Sequence, residues 1–104
     1  MEFEGSSLQD WSSPIDTRYS LRLYVAGASS MSVRAIKNLQ IILEDHLKDR
    51  YELEIIDIHQ QTTLLQEEDV FVVPLLIKYS PAPVRRLVGD MSDSNKVLRG
   101  LGLS

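Results

Sequence analysis

The stretch "VFVVPLLIKYSPAPVRRLVGD", residues 70–90, decides whether the chain keeps alternating strands and helices or ends in a hairpin. Its first part, "VFVVPLLIKY", is apolar and β-branched and reads as a strand. Pro74 interrupts it. Proline donates no hydrogen bond to a ladder, so this strand is expected at an edge, at a bulge, or with the proline at its start. Residues 80–83 form a turn built around Pro81 and Pro83. "VRRLVG", residues 84–89, then resumes an extended pattern. Two strands joined by so short a turn pair antiparallel, as a β-hairpin. Neighbouring side chains of a strand point to opposite faces, so on a sheet with one buried side Arg85 and Arg86 cannot both face water.

Upstream, "YSLRLYVAG" (19–27) alternates. Leu21, Leu23 and Val25 fall on one face, and Arg22, Tyr24 and Ala26 on the other, which reads as a strand closed by Gly27. "ASSMS" offers several serines as helix N-caps. Val33, Ile36, Leu39, Leu43 and Leu47 follow at helical spacing, which predicts an amphipathic helix over 31–48. "YELEIIDI" (51–58) is a second strand. Short joints make this a right-handed βαβ unit with parallel strands. "TTLLQEED" (62–69) carries a capping-box pattern from Thr63 to Gln66 and predicts a short helix. Downstream of the hairpin, Asp90 or Ser92 is expected to cap a last helix through "SNKVLRGLG" (94–102). Gly100 and Gly102 each weaken that helix by about 1 kcal/mol relative to Ala. The serine- and acid-rich residues 1–18 lack apolar periodicity and are expected to form a flexible tail before one domain over 19–104. Trp11 is either a solvated tail residue or an anchor for a partner.

With no cysteine among 104 residues, disulfides, thiol redox chemistry, thiolate metal sites and a cysteine nucleophile are excluded. No apolar run approaches the roughly 20 residues of a membrane span. The acidic N-terminus is unlike a signal peptide, so a cytoplasmic location is expected. The net charge of −4 is uneven: residues 44–69 carry −7, while 19–43 and 70–104 carry +3 each. A two-signed surface suits a protein partner better than a nucleic acid. His46 stands near Asp45 and Asp49, but scattered charge on a surface helix explains it better than a metal cluster. His59 has no obvious partner set. Ser29, Ser30 and Ser32 lack the positioned base that a serine nucleophile needs. "GASSMS" occupies a phosphate-cradling position without the glycine spacing and lysine of a P-loop. Neither catalysis nor a cofactor is expected.

The resulting order, βαβαββα, is that of the thioredoxin fold, an α/β architecture with a mixed sheet. Ala28, Ser29, Ser30 and Met31 hold the place of the redox dithiol, and Pro74 the place of the proline, often cis, that opens the third strand. At the level of residues, "LRLYVAG", "SVRAIKNLQIILE", "YELEIIDI", "PLL", "PAPVRRLVGD" and "KVLRGLGL" resemble successive blocks of the KaiB family of bacterial circadian clock proteins. The resemblance runs from about residue 19 to the C-terminus.

That resemblance implies a non-enzymatic regulator that docks on a KaiC-type ring ATPase and changes its activity or its access to partners. The alternative is an interaction module in a stress-response or signalling pathway with a different partner. A homo-oligomer, dimer or tetramer, is also implied. So are two folds: the thioredoxin-like one, and a ground-state arrangement, βαββααβ, with the C-terminal half rebuilt. Basic residues at Arg34, Lys78, Arg85 and Arg86 are implied to form surface for assembly. For the arginine pair a structural role stays open, one stem covering the sheet edge while the other makes an internal ion pair. Glu54 stands where cyanobacterial relatives carry a lysine associated with contacting KaiA, which implies that no KaiA-type protein is recruited. Val73 replaces a threonine before Pro74 and Gly102 replaces an acid near the end. Both changes fall in the half where the two folds differ.

Overall fold

The first strand in sequence is an inner strand of the sheet. The computed structural model of the chain describes residues 18–60, 66–67, 70 and 72–103. Its elements are β1 (Tyr19–Val25), α1 (Ser30–Leu47), β2 (Tyr51–Asp57), β3 (Leu75–Ser80), β4 (Arg85–Val88) and α2 (Ser94–Leu101). The strands lie in the order β2-β1-β3-β4. β2 runs parallel to β1, as a βαβ unit requires, and β3 is antiparallel to both β1 and β4. The sheet is therefore mixed and ends in the expected hairpin. Of the short helix expected over 62–69, Gln66 and Glu67 are helical and most of the rest lies outside the described residues, as do residues 1–17 with Trp11.

The alternation in β1 sorts two cores. Leu21, Leu23 and Val25 are buried with Ala35, Leu39, Leu43 and Leu47 of α1 and with Val97 and Leu101 of α2. On the opposite face Tyr24, Ile56, Leu75 and Ile77 form a second buried cluster, against which Ile58, Val70 and Val73 pack. β1 and β3 are thus covered on both sides, which is why β3 reads as a nearly continuous apolar run. The buried stripe of α1 is rotated slightly from the one expected: Ala35 and Ile42 are inside, and Val33 is exposed.

Side-chain caps set the helix starts. The Ser29 hydroxyl accepts from the Ser32 backbone N–H, and the buried Ser32 hydroxyl accepts from the Ala26 N–H at 2.9 Å. The serines after β1 thus fasten strand to helix. α2 is capped by Asp93, whose carboxylate accepts from the Lys96 N–H at 3.1 Å, and not by Asp90 or Ser92. Asp90 is turned instead toward α1. Gly102 closes α2 in the left-handed region at φ 78°, and the Leu103 N–H bonds the Leu98 carbonyl at 2.8 Å. Here glycine terminates the helix and does not weaken its interior.

Pro74 stands just before β3, so its missing N–H costs the ladder nothing, and the strand begins at Leu75 rather than at Val70. The Pro74 carbonyl accepts from the Gly89 N–H at 3.0 Å. The Val73–Pro74 bond is cis, as are the bonds before Pro81 and Pro83 in the turn.

Candidate partner-binding edge

β4 is the last strand of the sheet, and its outer edge, unpaired among the described residues, defines the site. Every residue of β4 except the half-buried Leu87 is exposed, including both Arg85 and Arg86. The expectation that one of the two must be sheltered is overturned, because β4 is short and peripheral and neither of its faces is closed off. By register, Arg85 lies opposite Lys78 on the face of the helices, and Arg86 opposite Ile77 on the other face. The pair therefore presents positive charge on both sides of one edge.

Lys78 does not share that exposure. It is buried, at 4% of its free surface, and its ammonium donates to the Pro81 carbonyl at 2.7 Å. Burial, and then the charge of Arg85, push its pKa down. Its place is to brace the proline turn that delivers the chain into β4, so an assembly surface built on its side chain is not available in this fold. Arg34 is exposed but committed: its guanidinium meets Asp90 at 3.3 Å. The neighbouring Asn38 donates to the Asp90 carbonyl at 2.9 Å. Together they latch α1 to the loop between β4 and α2. Hydrogen bonds from Ser92, with help from Arg34, hold the Asp90 carboxyl below its ordinary pKa. The sequence offered Asp90 only as a helix cap and did not single out Asn38, because the contact between them spans 52 residues.

Glu54 lies on β2, at the far edge of the sheet from Arg85 and Arg86. It sits directly across from Arg22, which it meets at 3.1 Å. Arg22 also donates to the Tyr24 hydroxyl and lies 5.4 Å from the centre of the Tyr79 ring. The Tyr24 contact, more than the nearby acid, raises the arginine's pKa further. The acidic segment around Glu54 is therefore partly neutralised from β1. By strand alternation Asp57 points to the opposite face, where its carboxylate accepts from the His59 N–H at 2.9 Å. The sequence-predicted residues thus divide into the Arg85–Arg86 edge, an inner brace at Lys78, a latch at Arg34, and a separate acidic edge at Glu54.

Chemically, an edge strand offers unpaired main-chain groups, and its arginines offer forked donors to carboxylates. Among the described residues no group of three or more His, Asp or Glu side chains converges for a metal, and no helix is long and apolar enough to cross a membrane.

The model of the KaiB domain family matches residues 22–103. The chain belongs to the KaiB family. The circadian clock oscillator protein KaiB of Rippkaea orientalis is 48% identical over 85 residues, covering 82% of each protein. KaiB1 of Synechocystis is 45% identical over 91 residues, covering 88% of this chain and 87% of that one. Among solved structures, the N-terminal domain of Synechococcus elongatus SasA superposes with a TM-score of 0.68 at 24% identity over 96% of each chain. The Drosophila melanogaster thioredoxin Deadhead gives 0.67 at 11% identity, covering 85% of this chain and 82% of its own. The expected thioredoxin-like α/β fold is thus present in this KaiB-family chain, and the ground-state arrangement is not the one adopted here. A helix begins where thioredoxins carry their dithiol, but its first turn, Ser30 to Val33, holds no thiol.

Proposed function

We propose that this KaiB-family chain is a non-enzymatic cytoplasmic regulator in a clock or timing system, acting by binding a KaiC-type ring ATPase through the β4 edge. The observation that carries this reading is the joint exposure of Arg85 and Arg86 on an edge strand, in a family whose curated members are named circadian clock oscillator proteins. Lys78 and Arg34 support the edge from behind, one bracing the turn before β4 and the other holding the loop after it. The chain works as a homo-oligomer in which the edge is presented more than once.

The test is binding to the KaiC-type ATPase of the same genome. Replacing Arg85 and Arg86 together with Ala is expected to weaken the complex about tenfold, with a smaller difference at high salt because exposed charges are screened there. A folded double variant that binds as the wild type does removes the edge from the interface. A wild-type chain that binds no such ATPase turns the reading toward a module in a stress-response or signalling pathway.

The same reading excludes a KaiA-type protein as a partner. Glu54 puts negative charge on the β2 edge beside Glu52, and like charges brought together across an interface cost several kcal/mol. Adding a cyanobacterial KaiA to the preformed complex and following assembly by native mass is expected to show no capture. Capture by the wild type overturns the exclusion, and capture only after Glu54→Lys supports it.

A further inference from the structure

The outer face of α1 carries an apolar and basic stripe that no described element covers. Val33 and Ile41 are 50% and 55% exposed, and Lys37, also exposed, stands midway between them. Successive members are four residues apart, so the three share one side of the helix, with about 12 Å from Val33 to Ile41. Lys37 makes no ion pair among the described residues. Glu44 is held on the β2 side, where the Tyr51 hydroxyl donates to it at 2.7 Å. Asp45 stands one turn below Ile41, so the positive part of the stripe is the part above Ile41.

The chain enters β1 at the foot of this same helix. The Arg18 guanidinium donates to the Asp49 carbonyl at 3.0 Å, and the Tyr19 N–H to the Arg50 carbonyl at 2.8 Å, both just past the end of α1. Residues 1–17 lie outside the described residues, and the family match begins only at residue 22. They carry four acidic and no basic side chains. Leu8, Asp10 and Trp11 offer an apolar group, an acid and an apolar group, in the order in which α1 offers Val33, Lys37 and Ile41. In an extended chain Leu8 and Trp11 stand about 10 Å apart, close to the spacing of the stripe. The six residues from Ser12 to Thr17 are more than enough to return from Ile41 to Arg18.

We propose that the outer face of α1 is the docking site of the chain's own N-terminal segment, with Leu8 on Val33, Asp10 on Lys37 and Trp11 on Ile41. Trp11, open in the sequence between a solvated residue and an anchor, is then an anchor for its own domain. An indole takes both contacts this seat offers, apolar from Ile41 and cationic from Lys37. The contact need not be strong, because a linker of six residues holds the segment at about millimolar effective concentration. The strap goes beyond ATPase binding and does not depend on it.

The full chain is the material for the test, and its single tryptophan reports its own seat. In low salt, Trp11 of the wild type is expected to emit to the blue of the urea-unfolded chain and to resist acrylamide quenching, equally at every dilution. Ile41→Asp is expected to lower the ratio of docked to free segment about tenfold, the worth of one buried isoleucine. Lys37→Glu and Asp10→Lys are each expected to raise quenching, and the double variant to restore protection, since opposite charges face each other again. All four positions lie on exposed helix surface or outside the domain, and circular dichroism checks that each variant is folded. A wild-type indole as quenchable as in urea, α1 variants that quench as the wild type does, or a double variant as open as its components would each overturn the proposal. So would protection lost on dilution, which gives the seat to a second copy, and protection gained only when the ATPase is added, which makes Trp11 an anchor for that partner. The first measurements contain no ATPase, so their failure leaves the ATPase reading standing.

Discussion

Gly100 sits inside α2, where a glycine ordinarily weakens a helix, so Gly100→Ala tests whether close packing or helix propensity governs the position. In a free helix the change gains up to about 1 kcal/mol. Here a Cβ at residue 100 would lie 2.6 Å from Cδ1, 2.8 Å from Cδ2 and 3.0 Å from Cγ of Leu87. Three carbons of one side chain would have to move, and Leu87 is packed against the core. Overpacking of this kind costs about 1–3 kcal/mol. The net expectation is a loss of about 1 kcal/mol, which for a domain of this size lowers Tm by about 4–8 °C. The decisive arm is the Leu87→Ala background. With Leu87 shortened the space opens and only propensity remains, so Gly100→Ala should then stabilise by up to about 1 kcal/mol. Thermal melts of the four proteins give the cycle directly. A rise in Tm on the wild-type background, or an effect of the same sign and size in both backgrounds, refutes the idea that α2 needs a glycine to approach β4.

The Asp90 latch should appear in the acid limb of stability. A carboxyl whose folded pKa is lowered contributes stability that is present above its unfolded value, about 3.9, and lost as pH falls through the folded value. Urea midpoints of the wild type and Asp90→Asn should therefore differ at about pH 6 and converge in acid, and a gap constant with pH would remove the electrostatic account. Leu39→Ala empties a fully buried site between α1 and β1 and should cost about 2–5 kcal/mol by urea titration; a loss below about 1 kcal/mol would mean that the core collapses around it.

The βαβ half was legible because its signals are local. Alternation in "SLRLYV" gave the two faces of β1, and apolar spacing gave α1, with Val33 misplaced because an i+3, i+4 stripe admits a neighbouring rotation. The hairpin was legible as well, since two apolar segments flank a proline turn. What escaped was whatever depends on how far an element lies from the centre of the sheet. Lys78 and Arg85 are both basic and share a face, yet one strand of difference buries the first and exposes the second. The cap of α2 escaped for a related reason. Asp90, Ser92 and Asp93 are all competent caps by type; the helix starts at Ser94, so Asp93 caps it, while Asp90 contacts Arg34 and Asn38 of α1. The resemblance to KaiB points to the arginines, but it does not separate those that face outward from the lysine behind them.

The interior position of β1 bears on how the chain is made. Its residues leave the ribosome before those of the strands that flank it, and β2 covers one of its edges as soon as Asp57 has emerged. The other edge waits for Leu75–Ser80, and the apolar face beneath waits for Val97 and Leu101. A late bond to β1 runs from the Tyr19 hydroxyl to the Leu101 carbonyl, 3.0 Å apart across 82 residues. Until β3 has emerged, β1 keeps one unsatisfied edge, the state in which unfinished chains stick to one another. Synthesis rate and chaperone occupancy thus act on this protein through a window whose length is set by the distance from Val25 to Leu75.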